Sequence, residues 1–317
     1  MIIPGLLVLV GFVSLIYGAI WLVDGASALA KKYKVSDLAI GLTIVAFGTS
    51  APELVVNSIA SLKGHSDIVL GNIIGSNNFN LFIILGLSGL IIPIKVQTST
   101  AWREIPISLF VSILLLFLLN DFAFSGHTYS TRIDGLIMLV LFCLFLFYVF
   151  KQMKNDPQKT TLDIQKPVIR IWGLIIIGLG ALITGGQFVV VNSVDIANAL
   201  GVSEKIIGLT IIAAGTSLPE LVTSIVAATK KNSDIAIGNV IGSNVFNILL
   251  ILSISSIIKP IEYNTKFNLD MYILIGGTVF LLTSMLTGQR KKLDRWEAGV
   301  LFGFYIIYAT YLVMKEI

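Results

Sequence analysis

The sequence predicts an all-α membrane protein: ten transmembrane helices in two inverted five-helix repeats, with broken helices at a central ion site. Three observations predict it. Apolar runs long enough to cross a bilayer recur along the whole chain, Lys and Arg alternate in density from loop to loop, and the second half repeats the first.

Of the 317 residues, 56% are hydrophobic and 13% are charged. Soluble domains carry roughly a quarter charged residues, so water cannot be the solvent of most of this surface. The mean hydropathy is +0.91. A spanning helix needs about 20 apolar residues. Runs between polar breaks predict spans at 2–29, 37–62, 67–92, 103–119, 132–150, 168–199, 204–229, 234–258, 268–288 and 295–314. The run Ile2–Val23 has no basic residue before it and no small-residue cleavage site, so it reads as a mature helix rather than a signal peptide. The longest polar connection, Lys151 to Lys166, reads as a short cytoplasmic linker (151–167) between a first repeat, 1–150, and a second, 168–317.

Orientation follows from the basic residues. With the N-terminus outside, the inner loops hold 16 Lys and Arg: Lys31, Lys32, Lys34, Lys95, Arg103, Lys151, Lys154, Lys159, Lys166, Arg170, Lys230, Lys231, Arg290, Lys291, Lys292 and Arg295. The outer side holds 6: Lys63, Arg132, Lys205, Lys259, Lys266 and Lys315. The positive-inside rule therefore puts both termini outside the cell membrane. The net charge of +4 is spread over loops and is no nucleic-acid signal. Trp21, Trp102, Trp172 and Trp296 fall near span ends, as an interfacial belt requires. The single cysteine, Cys143, excludes an internal disulfide and a thiolate metal site. His65 and His127 stand alone in polar stretches and read as loop residues.

The repeat has an offset of 167: Gly41–Leu85 aligns with Gly208–Leu252 without a gap, and 27 of 45 positions are identical. The strongest blocks run Gly48-Thr49-Ser50-Ala51-Pro52-Glu53 against Gly215-Thr216-Ser217-Leu218-Pro219-Glu220, and Gly71 to Asn80 against Gly238 to Asn247. Five helices per half is an odd number, so the second half enters the membrane in the opposite direction. Such inverted repeats place transporter sites near mid-membrane, at the repeat interface. Packing alone preserves size and apolarity; it does not preserve Thr, Ser, Glu and Asn.

Glu53 and Glu220 lie deep in predicted spans with no Lys or Arg at comparable depth. A carboxylate at mid-membrane costs about 2.5–3.5 kcal/mol on insertion scales, so protons or bound cations must neutralise the pair. Oxygen-rich surroundings favour hard cations. Pro52 and Pro219 lack an N–H and crowd the carbonyls of Gly48 and Gly215, which opens the helix beside each glutamate. The second block adds Ser76, Asn80, Ser243 and Asn247. Gly71, Gly75, Gly238 and Gly242 are explained by close helix packing. Asn72 and Asn239 read equally as interhelical hydrogen-bond partners or as ligands. Asp67 and Asp234 open their helices and read as N-terminal caps. Asp24 and Asp195 sit near helix ends, as interfacial or gate-lining residues.

The paired Gly-Thr-Ser-x-Pro-Glu and Gly-Ser-Asn-x-x-Asn blocks resemble the two α-repeats of the sodium/calcium exchanger family, within the cation/Ca²⁺ exchanger superfamily. The resemblance covers essentially the full chain, and the chain looks most like the compact prokaryotic members. It implies a site at the centre of four helices. Glu53 and Glu220 would bind Ca²⁺ with the carbonyls of Thr49 and Thr216. Na⁺ would use the same glutamates with Ser50, Ser217, Ser76, Ser243 and the carbonyls of Ala46 and Ala213. Asn80 and Asn247 would complete the middle, and the first and sixth helices would slide to switch access. Potassium-dependent relatives carry Asp where this chain has Asn247, which favours potassium independence here.

These readings converge on a secondary antiporter that exchanges Na⁺ for Ca²⁺ by alternating access, electrogenic at the three Na⁺ per Ca²⁺ that the resemblance implies. The alternatives are a Ca²⁺/H⁺ exchanger on the same scaffold and a cation channel. No nucleophile–base set of an enzyme is visible, and no cofactor, nucleic acid or protein partner is called for. The expected partners are Na⁺, Ca²⁺ and the bilayer.

Overall fold

The computed structural model describes residues 2–120, 129–155, 167–200, 213–286 and 291–316. These residues fold as helices joined by short turns: α1 (Ile2–Tyr33), α2 (Asp37–Thr49), α3 (Ala51–Lys63), α4 (Ser66–Ile91), α5 (Thr100–Asn120), α6 (Arg132–Asn155), α7 (Val168–Ala199), α8 (Leu218–Thr229), α9 (Ser233–Ile258), α10 (Asn268–Leu286) and α11 (Arg295–Glu316). Among the described residues, seven helices are long and apolar enough to cross a membrane, and eight when the bent pair α2–α3 is one span. The expected span 204–229 falls partly outside the described residues, as do His127 and most of the linker 151–167.

Two helices form the centre. The most apolar window of α9 is 94% buried and that of α4 is 72% buried, against 33% for α1 and α7. The outer helices therefore present their apolar faces outward, where hydrocarbon satisfies them. Cys143 is on such an exposed face.

Helices α1 and α7 pack against one another along a glycine seam. A Cβ on Gly11 would sit 2.8 Å from the carbonyl oxygen of Gly185, and one on Gly18 would sit 2.8 Å from that of Gly178. Numbers rise along one helix as they fall along the other, so the pair is antiparallel. The Ser14 hydroxyl donates to Ala181 O at 2.8 Å across the same seam. Small residues let two backbones meet where lipid offers no hydrophobic drive.

Two short antiparallel ribbons tie the halves together. β1 (Ile94–Lys95) pairs with β4 (Lys292–Leu293), and β2 (Tyr129–Ser130) pairs with β3 (Ile261–Glu262). In each ribbon a strand just after a central helix meets a strand just before the last helix of the other half. The α6 and α11 starts are held alike: Asp134 Oδ2 accepts from Thr131 N–H at 2.7 Å, and Glu297 Oε2 accepts from Asp294 N–H at 2.8 Å. The first is a full capping box, since Asp134 N–H also donates to Thr131 Oγ1 at 3.2 Å, and the second shows its carboxylate half.

Several expected boundaries move. α1 continues to Tyr33 and α6 to Asn155, beyond the apolar runs. Lys31 and Lys32 in the last turn of α1 suit the negative end of the helix dipole, and long basic side chains reach the interface from such positions. The caps also differ from expectation. Asn232 caps α9 by accepting from Ile235 N–H at 3.2 Å, while Asp234 sits inside the first turn and accepts from Gln97 Nε2 at 2.7 Å. His65 holds the N-cap position of α4 without a side-chain bond, and Asp67 again lies in the first turn.

Candidate functional site

The site is built where two helices break. Between α2 and α3 the axis bends by 48°. Ser50 is the break, at φ −84°, ψ 8°, and Pro52 follows in the first turn of α3. In the second half Ser217 takes φ −89°, ψ 7°, followed by Pro219 in the first turn of α8. Proline costs nothing there, because the N–H it lacks would have no helical partner. The expected opening at each Gly-Thr-Ser-x-Pro-Glu run is thus present twice, with matching backbone angles. Glu53 and Glu220 each fall in the first turn of the new helix, where the dipole favours negative charge.

Both glutamates are buried, at 1% exposure each. Each is held by a serine from the opposite break: Ser50 Oγ donates to Glu220 Oε1 at 2.8 Å, and Ser217 Oγ donates to Glu53 Oε1 at 3.2 Å. Ser50 Oγ also lies within hydrogen-bond distance of Ser243 Oγ, at 3.0 Å. The half around Glu220 is therefore tied more tightly than the half around Glu53, where Ser76 Oγ is buried without a partner among the described residues.

Just beyond Ser76 and Ser243, α4 and α9 widen into π-helical segments, Phe79–Ile84 and Asn247–Leu252. Such bulges recur at functional sites. They carry Asn80 and Asn247, both buried. Glu53 Oε2, Glu220 Oε2, Asn80 Oδ1 and Asn247 Oδ1 accept no hydrogen bond from the described residues. Neither glutamate forms an ion pair among the described residues; the ion pairs Lys230–Asp24, at 2.5 Å, and Lys292–Asp294, at 2.6 Å, lie elsewhere. Asp24 is thereby placed in a contact between α1 and the end of α8, whereas Asp195 is exposed on α7.

The remaining expected site residues take definite places. The Thr49 hydroxyl reaches Val45 O at 3.1 Å, Ala46 O at 3.3 Å and Asn239 Oδ1 at 3.0 Å. Ala46 O also accepts from Ser50 N–H at 3.0 Å, so that carbonyl reaches an ion only if the Thr49 hydroxyl turns away. Thr216 Oγ1 accepts from Asn72 Nδ2 at 3.3 Å. Ala213 begins the helical turn Ala213–Gly215 just before the second break. Asn72 and Asn239 act as interhelical partners: Asn239 Nδ2 donates to Glu220 O at 3.2 Å and Ser224 Oγ at 2.9 Å, and Asn72 Oδ1 accepts from Asn57 Nδ2 at 2.7 Å.

Sequence reasoning passed over Asn57, Asn77, Ser224 and Asn244, although all but Asn57 and Ser224 are identical across the repeat. It also passed over Glu104, which is fully buried away from the site and accepts from the Tyr148 hydroxyl at 2.5 Å.

A model of the family described as sodium/calcium exchanger protein matches residues 3–151 and 170–314. The chain belongs to the sodium/calcium exchanger family. It is 37% identical to the putative antiporter CaxA of Alkalimonas amylolytica over 100% of both chains. It is 32% identical to the sodium/calcium exchanger MaX1 of Methanosarcina acetivorans, covering 97% of each. A solved structure of the sodium-calcium exchanger NCX_Mj, soaked with Na⁺ and Ca²⁺, superposes with a TM-score of 0.83 at 32% identity, covering 97% of each chain. The family consists of membrane transporters whose substrate ions are Na⁺ and Ca²⁺.

Proposed function

We propose that this exchanger is an electrogenic, potassium-independent Na⁺/Ca²⁺ antiporter that works by alternating access. One observation carries the proposal: among the described residues, two buried carboxylates have no basic partner, and the Asn80 and Asn247 oxygens on the central helices have no donor. Buried acceptors left unmatched are costly, and a hard cation ligated by oxygen matches all four at once. Two carboxylates balance one Ca²⁺.

In this reading Ca²⁺ takes Glu53 Oε2 and Glu220 Oε2, with Asn80, Asn247 and the carbonyls of Thr49 and Thr216. Na⁺ ions take overlapping oxygens, drawing on Ser50, Ser217, Ser76, Ser243 and the carbonyls of Ala46 and Ala213. Either load neutralises the glutamates and permits the switch; the empty site, carrying two negative charges, does not cross. Three Na⁺ for one Ca²⁺ moves one net charge, so transport feels the membrane potential by about 2.3 kcal/mol per 100 mV. The antiparallel glycine seam holds α1 and α7 backbone against backbone, which supports their moving as one pair when access switches.

We read the scaffold as ten spans in two inverted repeats, 1–150 and 168–317, joined by the linker 151–167, in the plasma membrane with both termini outside. The reciprocal ribbons, the paired carboxylate caps and the matching angles at Ser50 and Ser217 support that reading. Proteoliposomes test the function. Ca²⁺ uptake should rise with an opposing Na⁺ gradient and with a potential of the matching sign. Uptake driven equally by a proton gradient without Na⁺ contradicts it.

A further inference from the structure

The sodium/calcium reading rests on asparagine oxygens facing a cation, yet a carboxamide presents an NH₂ as readily as an oxygen. Something must choose. The choice begins at two backbone carbonyls, which can only accept. Asn77 O accepts from Asn244 Nδ2 at 3.4 Å, and Asn244 O accepts from Asn77 Nδ2 at 3.3 Å. Each amide nitrogen is thereby committed to the other helix's backbone, so each Oδ1 must point the other way. Asn244 Oδ1 then accepts from Asn80 Nδ2 at 3.0 Å, and Asn77 Oδ1 accepts from Asn247 Nδ2 at 2.9 Å. With their nitrogens taken, Asn80 and Asn247 are left with Oδ1 free of partners among the described residues. All four residues are buried, at 2% exposure or less.

We infer that Asn77 and Asn244 are positioning residues that lock the Asn247 and Asn80 carboxamides oxygen-first toward the transported cation. The ring runs backbone carbonyl, amide, amide oxygen, amide, free oxygen, once in each direction across the contact between α4 and α9. It uses no charge and no side chain that touches the ion on the Asn77 and Asn244 positions. Without it, a flipped carboxamide would aim N–H groups at the cation, and the site would repel what it should hold. The inference rests on the proposed cation site and deepens it, by assigning how that site's neutral ligands are oriented.

A carboxylate has two equivalent oxygens and needs no such orientation, which separates positioning from mere support of the fold. The experiment is a double-mutant cycle read by Ca²⁺ binding to the purified full chain. Asn77→Ala in the otherwise wild-type protein should weaken Ca²⁺ binding by about tenfold, the scale of one lost hydrogen bond or slightly more. In an Asn247→Asp background the same Asn77→Ala change should shift binding by less than about threefold. The mirrored cycle, Asn244→Ala with Asn80→Asp, should behave alike and covers the case in which one variant fails to fold. Equal losses in both backgrounds, or no loss in either, overturn the inference. If the wild-type chain itself does not bind Ca²⁺, the functional reading fails instead. Orientation is then judged from the Asn247 side-chain amide protons, whose protection from solvent exchange should vanish with Asn77→Ala; retained protection overturns it.

Discussion

Glu220→Gln probes the site most sharply, because it changes charge while leaving shape almost untouched. Glu220 Oε1 accepts from Ser50 at 2.8 Å and Oε2 has no partner among the described residues. The introduced amide can keep its oxygen on the Ser50 hydroxyl, so its NH₂ falls where Oε2 stood. A donor then replaces a ligand. One unit of charge acting on a divalent ion at a typical Ca²⁺–O distance of about 2.4 Å loses ~14 kcal/mol of attraction at an effective dielectric near 20. If desolvation offsets about three-quarters of this, Ca²⁺ binding weakens by roughly several hundredfold. The ion-free protein should move the other way, since one of two buried carboxylates without a basic partner is gone. Thermal unfolding in detergent reads both effects. The wild-type chain should gain about 2.7 kcal/mol at a Ca²⁺ concentration near 100 Kd. The Glu220→Gln variant should unfold at an equal or higher temperature without ions and show no Ca²⁺ shift. A variant that keeps the full Ca²⁺ shift refutes the reasoning.

Three further outcomes follow from the same geometry. Tyr148→Phe leaves Glu104 without its hydroxyl donor and should destabilise the chain by about 1–3 kcal/mol, measured by thermal unfolding, while Ca²⁺ binding stays within twofold. Gly18→Ala places a methyl 2.8 Å from the Gly178 carbonyl oxygen; exchange flux should fall by about tenfold or more while Ca²⁺ binding persists, and unchanged flux counts against α1 and α7 moving as one pair. Replacing external K⁺ with an inert cation should leave flux unchanged in the wild type, whereas Asn247→Asp should introduce a K⁺ stimulation.

The glutamates were legible because a carboxylate in an apolar run is rare and costly, and because the repeat placed one in each half at the same register. The breaks were legible for a similar reason: Pro-Glu behind Gly-Thr-Ser has a backbone consequence that needs no tertiary knowledge. Helix ends were less so. Apolar runs mark where hydrocarbon ends, while α1 and α6 continue beyond it on their Lys-bearing turns. The caps Asn232 and His65 were hidden behind the more obvious Asp234 and Asp67, since pattern alone does not say which polar residue precedes the first helical turn. Glu104 sits beside Arg103 near the start of its span, which disguised it as an interfacial residue; only packing against α6 shows it buried on Tyr148. The π-helical segments have no side-chain signature, because they are a change of backbone pairing. Asn77 and Asn244 carried a usable signal: each lies three residues before Asn80 or Asn247, on the same helix face, and each is identical across the repeat.

A crystal of the chain soaked in Ca²⁺, or in Sr²⁺ as its heavier stand-in, examined by anomalous scattering, tests the central claim most directly. The account predicts one strong peak about 2.3–2.6 Å from both Glu53 Oε2 and Glu220 Oε2, with Asn80 Oδ1 and Asn247 Oδ1 turned toward it. A saturating soak whose only peaks lie elsewhere, or one that finds the two carboxyl groups turned apart around no ion, contradicts it.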